Sequence, residues 1–484
     1  MEDVTPLADS STAGCPFYLQ ERMRIMENTE NRMGTARMST LMLKISIPII
    51  CSMMMQALYN IVDSLFVARM PDAPGIAHTG EIAVNALTLA FPIQMLFVAF
   101  GIGTGVGVGA MLSRELGQKK MEAVARVAGN GITLSLIMSA IFFLFGLFGI
   151  DPYLHTQTDD PNVLSMGHTY LTICTLLCFG NVMYGIFEKL LQATGRSLLS
   201  TIAMISGALT NIILDPIMIY GLLGFPALGI AGAAWATVIG QMVSLAISMV
   251  FHYTKNKEVK SGLSYMRLKP STVRGIFSIG ISAIVMQALM SFMTYGVNII
   301  FARVSQNAVT AYGIFYKIQQ FIFFAGFGIR DAITPVISYN YGAGSRKRVR
   351  EGEKWGILYT IVVMLIGTAL LQLCAAPLTG LFGLRAETET LCMRAMHIVS
   401  LGFVFAGVNI SAQGIFQALQ TGNSSLAVSL LRLLIIPLPL AFVFTLTGNP
   451  EYMIWWAFPI GEAVAAAAAV CLLIRINRLR LKKN

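Results

Sequence analysis

Two acidic residues lie inside segments that are otherwise apolar enough to cross a membrane, at Asp63 and Asp215. A carboxylate in hydrocarbon costs roughly 2.5–3.5 kcal/mol on insertion scales, so we expect each of them to serve a function. Asn60 and Asn211 each lie about one helical turn before an aspartate, on the same helix face. The alternative is that these polar groups only pack helices, or that Asp63 reaches the outer interface.

Two carboxylates and two amides at one depth could form a single pocket. The helices that carry Asp63 and Asp215 are predicted to run in the same direction, and both acids lie near the same end. Two carboxylates in one such pocket cannot both ionise cheaply, so the pocket is expected to take up a proton or to bind Na⁺ through oxygen ligands. Pro216 follows Asp215 and frees a backbone carbonyl one turn earlier, which adds an oxygen ligand.

Composition places these residues in a polytopic membrane protein. Of the 484 residues 55% are hydrophobic and only 12% are charged, with a mean hydropathy of +0.69, whereas soluble proteins carry about 25% charged residues. The apolar segments have the length of spanning helices, not of barrel strands, so the predicted class is all-α. Twelve helices are predicted, at 40–66, 82–112, 123–149, 164–187, 197–221, 229–253, 274–301, 308–338, 354–376, 391–416, 424–447 and 452–475.

Lysine and arginine are concentrated in alternate connections between these helices. The positive-inside rule therefore predicts a cell-membrane protein with both termini in the cytosol, and it explains the net charge of +10 without a nucleic-acid partner. Seven cysteines and five histidines are scattered, so we expect no metal site and no catalytic set. The predicted domains are a cytosolic tail (1–38), a six-helix lobe (39–253), a basic linker (254–273), a second six-helix lobe (274–475) and a basic tail (476–484).

The two halves of the chain repeat each other at offsets between 221 and 234 residues. Residues 55–58 (MQAL) recur at 286–289, and Gly117 has its counterpart at Gly342. Each half has an even number of helices, so both halves enter the membrane from the same side. The predicted architecture is two lobes related by a pseudo-two-fold axis along the membrane normal, with a cleft that suits alternating access.

The second half carries charges that the first half lacks. Arg432 takes the place of Asn211 when Pro437 is set against Pro216, and Glu462 and Lys317 are predicted near the membrane midplane. Because unpaired charges are costly there, we expect Lys317 and Glu462 to pair, with Arg432 able to join. This charge network has a structural or a functional role. The neighbouring Arg330 and Asp331 are expected to reach the interface.

The sequence resembles the multidrug and toxic compound extrusion (MATE) family over about 40–475. The resemblance is carried by NIVD at 60–63, NIILDP at 211–216, GIAGAAWAT at 229–237 and the duplicated six-helix halves. It implies an exporter of amphipathic organic cations, coupled to the entry of protons, with Na⁺ as the alternative ion, and no other cofactor. The second half departs from the family pattern, so a flippase for lipid-linked sugars stays open, and an enzyme or a channel is a remoter alternative.

By this resemblance the ion-coupling site falls on Asp63, Asn211 and Asp215, to which we add Asn60 and Thr237. We expect a monomer in the bilayer whose partners are small organic cations. The residues predicted to line the substrate cavity are Met55, Gln56, Tyr59, Gln94, Gln287, Tyr295, Asn298 and Gln319.

Overall fold

The computed structural model describes residues 31–72, 78–380, 382 and 384–481, and these contain helices and no strand. Ten helices are long and apolar enough to cross a membrane, and two bent helix pairs bring the number of spans in the described residues to twelve. This confirms the all-α polytopic class. The spans are α1 (Met38–Ala68), α2 (Thr79–Gly117), α3 (Met121–Phe148), α4 (Pro161–Leu176 with Phe179–Ala193), α5 (Ser197–Tyr220), α6 (Ile230–Lys255), α7 (Pro270–Ala302), α8 (Gln306–Gly342), α9 (Arg346–Gly380), α10 (Ala386–Ser400 with Phe403–Ala418), α11 (Gly422–Phe444) and α12 (Pro450–Arg480).

Short helical turns complete the described chain. They are α-helical at Arg32–Thr35 and Ile150–His155, and 3₁₀-helical at Leu222–Gly224 and Leu263–Tyr265. Local sequence signals fix several ends of the spans. Asp160 caps α4 by accepting hydrogen bonds from the next turn, and Ser305 caps α8 in the same way. Gly221 ends α5 at φ 74°, a left-handed conformation that glycine adopts without strain.

Two spans are bent where a continuous helix was predicted. α4 turns by 45° between its two parts, and α10, its counterpart in the repeat, turns by 55°. The first break falls at Leu177 and Cys178, which are as apolar as the helix around them. Without a proline at the break, hydropathy alone gives no sign of it.

Reciprocal contacts between α2 and α8 reveal the pseudo-symmetry. A Cβ atom on Gly117 would collide with the carbonyl of Tyr339, and one on Gly342 would collide with the carbonyl of Arg114. The two contacts exchange under the repeat, since Gly117 and Arg114 each lie 225 residues before their counterparts. Such an exchange is what a two-fold axis between the lobes (α1–α6 and α7–α12) requires.

The lobes are joined at one end and separate at the other. At the end where the basic loops lie, hereafter the basic end, Met42, Leu112 and Ile333 from both lobes belong to one apolar core. At the opposite end each lobe has its own core, which includes Phe97 in the first lobe and Trp455 in the second. The cleft between the lobes therefore opens away from the basic end.

Candidate ion-coupling site

The buried amide and carboxylate of α5 face α6 at a very close helix crossing. Asn211 and Asp215 are 2% and 0% exposed. Asn211 Nδ2 donates to Asp215 Oδ1 (3.2 Å) and to Thr237 Oγ1 on α6 (3.4 Å). The helices come this close because Gly207 and Gly240 face each other, and a Cβ on Gly240 would lie 2.7 Å from the Gly207 carbonyl oxygen.

Two hydrogen bonds fasten α1, which carries the second carboxylate, to α5. Near the basic end, Thr201 Oγ1 donates to the carbonyl oxygen of Pro48 at 2.7 Å. Near the opposite end, Tyr220 Oη donates to the carbonyl oxygen of Phe66 at 2.7 Å. α1 is therefore held at both ends of the segment that contains the predicted site.

Asp63 lies between these two anchor points and is 8% exposed. It is close enough to Asp215 for the two carboxylates to interact electrostatically, and Tyr59 lies within range of both. Tyr170 on α4 is also near Asp63, and its hydroxyl accepts a hydrogen bond from Gln94 Nε2 (3.2 Å). The two acidic residues singled out in the sequence thus lie in one buried region of the first lobe.

Three oxygen atoms of this region lack a hydrogen-bond donor within the described part of the chain. They are Asp63 Oδ1, Asp215 Oδ2 and Asn211 Oδ1, and all three are buried. A buried acceptor without a donor costs about 1–3 kcal/mol, and more if it is charged. The arrangement therefore favours binding of a proton or a small cation, which would satisfy these oxygens.

Asn60 differs from the other predicted members of the site because it is exposed. The buried polar group that the structure brings together consists of Asp63, Asn211 and Asp215, with the half-buried Thr237 beside it. Asn60 lies one turn from Asp63 on α1, on the accessible side of that helix.

The predicted cavity residues differ in their exposure and in the contacts they make. Gln319 lines a cavity in the second lobe. Gln94 belongs to the neighbourhood of Asp63 through its bond to Tyr170. The side chains of Gln56 and Tyr295 are exposed, and the remaining four are half-buried at Met55, Tyr59, Gln287 and Asn298.

Charges of the second lobe pair differently from the prediction. Arg432 Nη2 lies 2.7 Å from Glu462 Oε1, and Arg432 Nε donates to the same oxygen at 3.1 Å. Asn409 Nδ2 donates to Glu462 Oε2 at 2.7 Å. Lys317 is exposed on α8 and takes part in none of the ion pairs found among the described residues. Asn409 was not predicted as a partner of Glu462, because the sequence pattern does not distinguish it from other amides in apolar helices.

An ion pair joins the two lobes near the basic end. Lys189 Nζ on α4 lies 2.8 Å from Asp331 Oδ2 on α8, and Arg330 donates to the other oxygen of Asp331 at 2.8 Å. Arg330 and Asp331 are buried, so the expectation that they reach the interface was wrong. Farther along, Arg114 Nη1 donates to Gln420 Oε1 across the lobes at 2.6 Å.

Comparison with known proteins gives each lobe a family match. A family model described as MatE matches residues 48–217 in the first lobe and 282–443 in the second, together more than half of the chain. This chain belongs to the MatE family. MatE proteins are membrane transporters, which confirms the expected class and sets enzymes aside.

Relatives of this MatE transporter match nearly its full length. It is 25% identical over 444 residues to the multidrug export protein MepA of Staphylococcus saprophyticus, covering 91% of this chain and 94% of that protein. It is 26% identical over 445 residues to MepA of Staphylococcus aureus strain MSSA476, with the same coverage of both chains.

Solved MATE structures share the fold of this transporter. A crystal structure of MATE in complex with MaL6 superposes with a TM-score of 0.86 at 23% identity, covering 94% of this chain and 100% of that one. An outward-facing multidrug resistance MATE family transporter of the MOP superfamily gives 0.87 at 22% identity, covering 94% and 99%. These matches confirm the two-lobe architecture predicted from the repeat.

Proposed function

We propose that this MatE transporter exports amphipathic organic compounds in exchange for protons, and that Asp63 and Asp215 form the coupling site. The observation that carries the proposal is the buried carboxylate pair whose free oxygens have no donor within the described residues. Relatives over nearly the whole chain are multidrug export proteins, which supports export as the direction of transport. The predicted cationic character of the substrates stays a prediction.

The orientation of the protein in the membrane follows from the distribution of its basic residues. The basic end carries Lys119, Arg196, Lys255 and Lys347, and the positive-inside rule assigns such loops to the cytosol. Both termini then lie in the cytosol of a cell membrane protein. In this orientation the cleft opens to the outside, which is the state that an exporter adopts when it releases substrate.

The cycle begins with proton uptake by the open first lobe. A proton on one carboxylate removes the repulsion between Asp63 and Asp215, so that α1 can move against α5. Pro48 provides a bending point, because it lacks the N–H of a regular helical turn, and Thr201 holds its carbonyl. Movement of α1 would narrow the cleft and release the substrate, and loss of the proton to the cytosol would reset the lobe. Substrate and proton compete because each favours a different state.

The test is transport in proteoliposomes that contain the purified full-length protein. Ethidium, a cation, and rhodamine B, a zwitterion, serve as fluorescent probes under an imposed pH gradient or an imposed Na⁺ gradient. Transport driven by the pH gradient is expected for the wild type, and its loss is expected for Asp215→Asn. Asp160→Asn is the matched control, because Asp160 only caps an exposed helix start.

The outcomes separate the parts of the proposal. Undiminished gradient-driven export by Asp215→Asn would eliminate this pair as the coupling centre. Export driven by Na⁺ at constant pH would replace the proton by sodium and leave the site in place. Movement of a lipid-linked sugar, with neither dye transported, would make the protein a flippase.

A further inference from the structure

The second lobe contains a cavity that the coupling mechanism does not use. Its walls surround about 710 Å³ of space, part of which is open to solvent. Three methionines of α7 form one wall, and phenylalanines such as Phe323 and Phe403 form others. Methionine and aromatic walls adapt to apolar ligands of varied shape, so this cavity suits the apolar part of an amphipathic compound. The methionines are Met286, Met290 and Met293.

One charged pair faces this space, whose other polar lining residues are Tyr316, Gln319 and Gln320. Arg432 and Glu462 both line the cavity, and their side chains are only 5% and 14% exposed. Two guanidinium nitrogens share a single carboxylate oxygen, and Asn409 supports the other oxygen. The guanidinium also lies 5.9 Å from the ring centre of Phe323. A polar ligand could therefore accept hydrogen bonds from the guanidinium group while Arg432 stays in place.

The backbone at Arg432 is irregular. Residues Leu431–Ile435 form a π-helical turn inside α11, and Pro437 follows after one further residue, Ile436. π-turns are rare and occur frequently at functional sites, because they redirect a side chain at the expense of regular hydrogen bonding. Under the repeat, Arg432 stands where the coupling site of the first lobe has Asn211. The same position in both lobes thus carries a polar group at a proline-interrupted helix.

Charge balance decides which ligands fit. The pair is neutral as a whole. A simple cation that takes over the carboxylate leaves the buried guanidinium without its counter-ion, and a simple anion that takes over the guanidinium leaves the buried carboxylate without its counter-ion. A ligand with both an ammonium and a carboxylate can satisfy both partners at once.

We propose that the second-lobe cavity binds amphipathic zwitterions, with their anionic group on Arg432 and their cationic group on Glu462. This deepens the proposed function and rests on it for the direction of transport. It narrows the substrate class from the organic cations expected from the sequence to compounds that carry both charges. The first lobe, whose candidate coupling site carries the two carboxylates Asp63 and Asp215, keeps the coupling ion.

The experiment uses three fluorescent probes that share the dansyl-lysine skeleton and differ in charge, at pH 6. Nε-dansyl-lysine is a zwitterion, its methyl ester is a cation, and its Nα-acetyl derivative is an anion. Dansyl fluorescence rises on entering an apolar site, so titration of the purified full-length protein gives three dissociation constants. The wild type is expected to bind the zwitterion about tenfold more tightly than either relative, as one charged hydrogen bond would provide.

Variants of the pair should change the charge preference, not merely the affinity. Arg432→Met leaves Glu462 alone and should favour the cationic ester, whereas Glu462→Met should favour the anionic derivative. The double variant removes both buried charges of the cavity, so it should fold even if a single variant does not. It is expected to bind all three probes equally well. Arg196→Met, which removes an arginine paired with Glu258 at the basic end, is the matched control and should keep the tenfold preference.

Equal affinity of the wild type for the three probes, or no binding of any of them, would overturn the inference. So would a double variant that still prefers the zwitterion. These failures are distinct from failure of the proposed function. Gradient-driven export without a charge preference refutes only the zwitterion site. A charge preference without gradient-driven export refutes only the coupling mechanism.

Discussion

The ion pair between the lobes provides a direct test of how the basic end is held closed. Lys189 and Asp331 have side chains that are 12% and 7% exposed, and they join α4 to α8. In Lys189→Met the carboxylate of Asp331 keeps Arg330 at 2.8 Å. The variant therefore loses one charged hydrogen bond, worth about 1.5–3 kcal/mol, and does not incur the roughly 3–5 kcal/mol of an isolated buried charge. If this energy favours only the closed state, opening of the basic end becomes about ten to a hundred times more frequent.

Pulsed electron paramagnetic resonance can measure this opening. Spin labels at Lys119→Cys and Lys347→Cys, in a background without the native cysteines, lie on exposed residues of opposite lobes at the basic end. Lys189→Met should add a second, longer distance to the single short one of the parent. Arg126→Met, which removes an exposed pair within α3, should leave the distance unchanged. An unchanged short distance in Lys189→Met would show that apolar packing alone holds the lobes together.

Two further predictions concern orientation and packing. Cysteines introduced at Thr156 or Ala386 should react with an impermeant reagent from outside intact cells, and one at Gly262 should react only from inside; the reverse pattern would invert the proposed topology. Gly117→Val should lengthen the distance between the same spin labels, because its side chain collides with α8 at a cost of about 1–3 kcal/mol. Gly101→Val on the same helix, at a position where an added Cβ atom meets no atom within 4 Å, should leave the distance unchanged. Equal effects of the two substitutions would contradict the packing argument.

Much of the fold could be predicted because hydropathy and repetition act over long stretches. Spans of twenty or more apolar residues and the matched offsets of the two halves gave the twelve helices and their lobes. The bend at Leu177 was missed because it depends on how the two parts of α4 pack in three dimensions. The π-turn at Arg432 was missed for a related reason, since a local change of helix type leaves no mark on composition.

The candidate sites, like the fold, could be predicted only in part from the sequence. Asp63 and Asp215 could be singled out because a carboxylate in an apolar helix is costly wherever it points, and only their shared depth was needed to place them together. The partner of Glu462 could not be chosen in this way, because Lys317 and Arg432 were both available in the sequence. Side-chain direction decided between them. Arg432 turns into the lobe beside α12, whereas Lys317 lies on an exposed face of α8.

The two lobes differ most where the repeat makes them comparable. In the first lobe the position five residues before the proline of α5 carries Asn211, which donates to Asp215 and leaves buried carboxylate oxygens without donors. In the second lobe the same position carries Arg432, which supplies two donors to Glu462. The first arrangement is short of positive charge and can be completed by a proton or a sodium ion. The second is already neutral and gains nothing from such an ion, so it is free to recognise an organic ligand. Duplication followed by a few changes, among them Asn211 to Arg432, Asp215 to Ile436 and Gln241 to Glu462 in the aligned positions, would thus separate ion coupling from substrate binding between two halves of the same fold.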